Sequence, residues 1–341
     1  MLIVIIKVNR KHIKDIKRFS QTCYGGMVMS NQLSRLKGNV SRVVIGKGKV
    51  LDLMLVGLIA RGHILIEDVP GVGKTLMARV IAASCSMGFR RLQCTPDLMP
   101  TDVTGFFTYD KKDGAFTFRP GPLMTNILLV DEINRAVPRT QSSLLEAMEE
   151  RQATVDGQTF PLPSPFMVMA TQNPIEMEGT FPLPEAQLDR FLLKVDMGYP
   201  TAGEEEEIIL THGKNTALSG IESVVSGEDI LSWQDEAAEV FVHPSLTTYM
   251  IGLTRASREH SAVELGASPR GSLALFKTSK ALAFISGRSY VIPDDVKYLA
   301  PYVLAHRLLL HREERYRGNT GRAVVTEILS QVPVPVEDGW E

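Results

Sequence analysis

Three groups of residues in this sequence could do chemistry together. Lys74 and Thr75 follow a Pro70-Gly71-Val72-Gly73 turn, and Asp131 and Glu132 follow the apolar run 127–130. Asn173 lies in a Gln-Asn-Pro turn behind a second apolar run, 166–170. Asp189-Arg190 and Pro269-Arg270 come later in the chain. A lysine behind a glycine turn suits phosphate. The glycines let backbone N–H groups face an anion, and a following helix N-terminus adds partial positive charge. Lys74 would reach the terminal phosphates and the Thr75 hydroxyl would ligate magnesium. Paired carboxylates at a strand end suit metal and water chemistry. Asp131 would hold magnesium, usually through water, and Glu132 would orient and polarise the attacking water. Asn173 could position that water or sense a γ-phosphate. Taken by itself, Asp189-Arg190 reads as a surface pair.

These residues need a scaffold that brings them to one edge. The run 64–66 reads as a short buried strand, and 76–82 as the helix after the glycine turn, which is the context a phosphate loop requires. One departure stands out: the strict pattern G-x-x-x-x-G-K-[ST] has glycine where this chain has Asp68. The unbroken run 127–130 suits a strand buried on both faces of a parallel sheet. Ligands bind at the C-terminal ends of such strands. Further strands are expected at 89–93, 166–170 and 192–195. Two hairpins interrupt the series. One spans 106–118 around a polar, glycine-ended loop, and the other surrounds Asp156-Gly157. Neither is needed to hold a nucleotide, so both are candidates for contact with a partner. Helices are expected at 31–44, interrupted at 45–48, then at 50–60 and 140–151.

Beyond residue 200 the pattern becomes helical, with segments 229–239, 244–259, 272–284 and 294–310. They predict a small all-helical lid, in which His306 and Arg307 read as structural or interface residues. Residues 1–30 look unlike the rest and read as an extension, or as the product of a start upstream of Met27 or Met29. The chain has 341 residues and a formal net charge of −2, so no global basic field points to nucleic acid. Its three cysteines, Cys23, Cys85 and Cys94, have no metal-ligand spacing and read as reduced thiols of a cytoplasmic protein. No apolar run approaches the roughly 20 residues that span a bilayer.

As a series, these motifs resemble the MoxR family of AAA+ ATPases over roughly residues 33–331. The resemblance rests on Glu67-Asp68-Val69-Pro70-Gly71-Val72-Gly73-Lys74-Thr75, Val130-Asp131-Glu132-Ile133-Asn134-Arg135-Ala136 and the 144–152 segment. It continues through Ala170-Thr171-Gln172-Asn173-Pro174, Leu188-Asp189-Arg190-Phe191 and Gly266-Ala267-Ser268-Pro269-Arg270. Asp68 fits this family better than the strict pattern. The resemblance implies an α/β P-loop NTPase, a three-layer αβα core with a five-stranded parallel sheet, over 31–200. A C-terminal all-α lid over 201–341 would follow.

The resemblance also implies ATP and Mg2+ as cofactors and a hexameric ring as the assembly. Residues 68–76 and Asp131 would bind the nucleotide, with Val69, Pro70, Val72 and Leu76 in the loop and Ile45 near the adenine. Asn173 matches sensor 1, Arg190 an arginine finger acting on a neighbouring copy, and Arg270 sensor 2 in the lid, contacting the γ-phosphate. Gln93 matches a residue that restrains the catalytic glutamate, and Lys47 stands where relatives have glutamine. A chaperone-like role toward a protein client, often with a von Willebrand factor A-domain partner, is implied by the resemblance alone. A magnesium-chelatase-like subunit, a DNA-linked motor and a nucleotide-gated module without turnover are the rival readings.

Overall fold

In this computed structural model the described residues are 31–67, 69, 71–112, 114–173, 179–212 and 221–335. The proposed extension 1–30, and Asp68 and Pro70 of the phosphate loop, lie outside them. Helices α1 (31–41) and α2 (Gly48–Ile59) lead into β1 (Ile64–Glu67), α3 (Lys74–Ser84) and β2 (Phe89–Gln93). Helix α4 (Pro100–Thr104) precedes the hairpin β3 (Gly105–Asp110) and β4 (Ala115–Pro120). Then come β5 (Ile127–Asp131), α5 (Pro138–Glu150), the hairpin β6 (Gln152–Val155) and β7 (Gln158–Pro161), β8 (Met167–Gln172), α6 (Glu185–Leu188) and β9 (Leu193–Val195).

Five of these strands form one parallel sheet in the order β2-β5-β8-β1-β9. The alternation of side chains explains why three strands are apolar without a break. On one face Ile64, Ile66, Ile127, Leu129, Met167 and Met169 join the core built with α2 and α3. On the other, Leu65, Leu128, Val130, Val168 and Ala170 join a second core with α5. Each strand therefore buries both of its rows. The two hairpins also meet. Phe160 of β7 stacks on Phe118 of β4 at 4.1 Å, nearly parallel, while Tyr109 and Phe116 stay exposed on the first hairpin.

The C-terminal part comprises α7 (Ala202–His212), α8 (Gly227–Ala238), α9 (Pro244–Glu259), β10 (Val263–Leu265), α10 (Pro269–Ile285), α11 (Pro293–Leu304), β11 (Leu309–Leu310), α12 (Arg312–Tyr316) and α13 (Gly321–Gln331). The C-terminal part is a helical lid, with one short antiparallel strand pair, β10 and β11, added to the helices. The segment expected as one helix over 294–310 ends at Leu304, passes through a 3-10 turn at Ala305–Arg307 and finishes in β11. Apolar spacing cannot separate those three states over so few residues. The lid helices share one continuous core with α2 and β9.

Candidate functional site

The parallel strands deliver the chemistry-bearing residues to one edge. Gly71, Gly73, Lys74, Thr75, Leu76, Gln93, Asp131, Glu132, Thr171 and Asn173 line one pocket, together with Arg91. Each follows or ends a strand at its C-terminal edge, as the order β2-β5-β8-β1 requires. Sequence spacing anticipated most of this group. Arg91 and Thr171 were not singled out, although Arg91 and Gln93 stand two apart on β2 and so share a face.

Whether a nucleotide fits is tested by the loop. Gly71 and Gly73 have φ of +88° and +90°, and a Cβ on either would meet nothing within 4 Å. The glycines are thus required for backbone conformation and not for packing. Gly73 caps α3 with no side-chain partner, and the first turn of α3 carries no acidic residue. A helix N-terminus without its own anion, lined by Lys74 and Thr75, suits phosphate. Among the described residues no cluster of three or more His, Cys, Asp or Glu could cage a metal. Thr75 and Asp131 instead form the sparse donor set that suits magnesium bound jointly with phosphates.

The two carboxylates are held tightly. The Glu132 backbone is left-handed, φ +57°, an uncommon conformation for a non-glycine residue. Its N–H donates to Thr171 Oγ1 at 2.9 Å, and Thr171 Oγ1 donates to Asp131 Oδ1 at 3.3 Å. Glu132 Oε2 accepts from Gln93 Nε2 at 2.9 Å and from Arg135 Nη1 at 3.0 Å. The restraint expected from Gln93 is present in the geometry, and Arg135 adds to it. Asp131 Oδ2 accepts from Arg91 Nε at 2.6 Å. Below the pocket, burial and the nearby carboxylates push the Cys94 thiol up to about 12, so it is no nucleophile here.

Arg190 and Arg270 are placed elsewhere. They line a second pocket with Arg61, His63, Glu149 and Arg307, none of which borders the first. Arg61 and His63 precede β1, whereas Lys74 follows it. The second pocket therefore opens at the opposite edge of the sheet, with β1 alone separating the two edges by about 13 Å. In this arrangement Arg270 does not reach the phosphate loop of its own chain. Its Nη2 donates to Glu149 Oε1 at 2.6 Å, and Arg190 Nη2 pairs with Glu149 Oε2 at 3.1 Å. Asp189 is not a surface partner of its neighbour. It accepts from Ser268 Oγ and Arg307 Nε, both at 2.8 Å. Arg307 is buried, and desolvation lowers it to about 10 against the opposing pull of Asp189, so it stays charged at neutral pH. His306 and Arg307 are buried and tie the lid to the segment before β9, within the structural or interface role expected of them. Ile45 is buried and does not border the phosphate pocket; Val72 packs on the core and Leu76 lines the pocket.

Comparison with known proteins agrees with this geometry. Residues 63–193 match the model of the ATPase family associated with various cellular activities (AAA), and residues 255–328 match an AAA lid domain. YeaC of Bacillus subtilis is 50% identical over 89% of this chain and 95% of its own length. Chaperone MoxR1 of Mycobacterium tuberculosis is 44% identical over 89% of this chain and 82% of its own. A solved structure from Cytophaga hutchinsonii is 36% identical and superposes with a TM-score of 0.86, covering 94% of this chain and 99% of that one. Among the described residues no helix is long and apolar enough to cross a membrane.

Proposed function

The chain belongs to the MoxR family of AAA+ ATPases, and from that premise we propose that it hydrolyses ATP at sites shared between adjacent copies in a ring, read as a hexamer, to remodel a protein client. The observation that carries this reading is the split of the charged groups. The phosphate loop and paired carboxylates lie at one edge of the sheet, and Arg190 and Arg270 lie at the other. Within one chain they cannot act on the same phosphate. In a head-to-tail ring they can, because each copy offers one edge to each neighbour.

The backbone N–H groups at Gly71 to Thr75 and the Lys74 ammonium hold the β- and γ-phosphates. Thr75 and Asp131 are the residues that would hold Mg2+, whose charge would neutralise phosphate oxygens. Glu132 takes up the proton side of a water aligned for in-line attack, once its carboxylate leaves Gln93 and Arg135. Asn173, at the end of β8, orients that water. Arg190 and Arg270 of the adjacent copy stabilise the charge that spreads over the transferred phosphoryl group. Positioning and electrostatics supply most of the rate in such sites.

The lid is tied to the finger through Ser268, Arg307 and Asp189, so lid movement displaces Arg190. The stacked hairpins are the elements proposed to carry that motion to a client, with a von Willebrand factor A-domain protein as the partner that the family suggests. The proposed setting is the cytoplasm.

Glu132→Gln tests the core of the reading. Phosphate release should fall by about 10²-fold or more, because an amide cannot accept the water's proton. ATP binding by calorimetry should persist. Unchanged turnover would refute the role of Glu132.

A further inference from the structure

Strand β2 lies at the edge of the sheet, and its alternation points Arg91 and Gln93 into the phosphate pocket. Arg91 makes two contacts there. Its Nε donates to Asp131 Oδ2 at 2.6 Å, and its Nη2 donates to Gln93 Oε1 at 2.9 Å. Gln93 then donates from Nε2 to Glu132 Oε2 at 2.9 Å. The other Asp131 oxygen accepts from Thr171. One guanidinium therefore touches the carboxylate proposed for the metal and also fixes the amide that holds the carboxylate proposed for water. An amide whose oxygen faces Arg91 must turn its NH2 group toward Glu132. A guanidinium keeps its charge at any working pH. It cannot stay at hydrogen-bond distance from Asp131 beside a divalent ion without strong repulsion.

We infer that Arg91 is a positioning residue that stands in for the divalent ion on Asp131 and, through Gln93, keeps Glu132 turned aside until the ion displaces it. Metal binding and loosening of the catalytic carboxylate become one event. Arg91 leaves Asp131, the Gln93 amide loses the contact that fixes its orientation, and the hold on Glu132 weakens to an unfixed Gln93 and to Arg135. ATP bound without metal would then find Glu132 still restrained. The Arg91 side chain is 51% exposed and that of Asp131 12% exposed. With its guanidinium half in solvent, Arg91 can swing out and be rehydrated as a metal takes its place on Asp131.

The inference rests on the proposed roles of Asp131 and Glu132, and the experiment separates the two. Mn2+ is titrated into protein loaded stoichiometrically with ADP, and free Mn2+ is read by electron paramagnetic resonance. Arg91→Ala should bind Mn2+ roughly 3- to 10-fold tighter than wild type, since a charged competitor has gone. Gln93→Ala should leave Mn2+ affinity within about twofold and raise basal phosphate release, with no further rise in the double variant, because the two residues act in series. Arg91→Lys keeps the charge but cannot bridge Asp131 and Gln93 with a fork. It should keep near-wild-type Mn2+ affinity while raising basal turnover as Gln93→Ala does. Asp131→Asn should lose Mn2+. If Asp131→Asn keeps it, the metal assignment fails and takes this inference with it. If Asp131→Asn loses Mn2+ while Arg91→Ala is unchanged or weaker, the inference alone is overturned. Melting temperature and ADP affinity check that each variant folds.

Discussion

Mixing two inactive variants gives the sharpest test of a shared site. Lys74→Ala removes the phosphate contact of a copy's own loop. Arg190→Ala removes the charge offered to the neighbour. In a ring mixed at equal ratio, about one interface in four pairs an intact Lys74 with an intact Arg190, because the two halves come from different copies of a head-to-tail interface. Activity should therefore return to about a quarter of wild type per site. The Arg190 and Arg270 contacts with Glu149 do not prevent this. Their side chains are 31% and 50% exposed, and that of Glu149 is 38% exposed. Screened pairs of this kind contribute about 0.2–1 kcal/mol each. A trans arginine is worth on the order of 10³-fold or more in rate, about 4 kcal/mol. Release from Glu149 is thus the smaller term. The assay is phosphate release from mixed protein, with assembly followed by light scattering. No recovery above the separate variants in fully assembled mixed rings would refute the shared site. So would substantial activity of Arg190→Ala alone.

Two further outcomes follow from particular groups. Gly73→Ala should weaken ADP binding by about 10-fold, because a φ of +90° strains any Cβ-bearing residue by about 1–2 kcal/mol, although the Cβ itself has room; calorimetry reads this, and unchanged affinity would show that the cradle does not depend on that conformation. His63 donates from Nε2 to Met148 O and accepts from Val168 N–H at Nδ1, and burial lowers it to about 4. The unfolded chain binds that proton near 6.5, so the stability from neutral His63 is present above that pH and lost as pH falls toward 4. The total is about 3 kcal/mol, with about 2 kcal/mol gone by pH 5. His306, also lowered by burial, adds in the same direction. Urea midpoints at pH 7 and pH 5 should differ less in His63→Gln than in wild type, and an equal difference would contradict the buried neutral imidazole.

The phosphate loop, the paired carboxylates and the two hairpins were legible in the sequence because each is local. A glycine turn between strand and helix, or an Asp-Gly between β-prone runs, is fixed by backbone preferences over a few residues. The three central strands β5, β8 and β1 were legible for a related reason, since strands buried on both faces are largely apolar; the full five-stranded parallel sheet was implied by the family resemblance. The tertiary structure alone decided which charges meet. Arg91 on Asp131, and Thr171 beneath both carboxylates, depend on β2, β5 and β8 lying side by side, and no spacing along the chain encodes that neighbourhood. The same holds for Glu149, which joins Arg190 from the core to Arg270 from the lid across 41 and 121 positions of sequence. The family resemblance implied a phosphate contact for Arg270. Only the packing of the lid on α2 and β9 put it at the far edge of the sheet, away from the phosphate loop of its own chain.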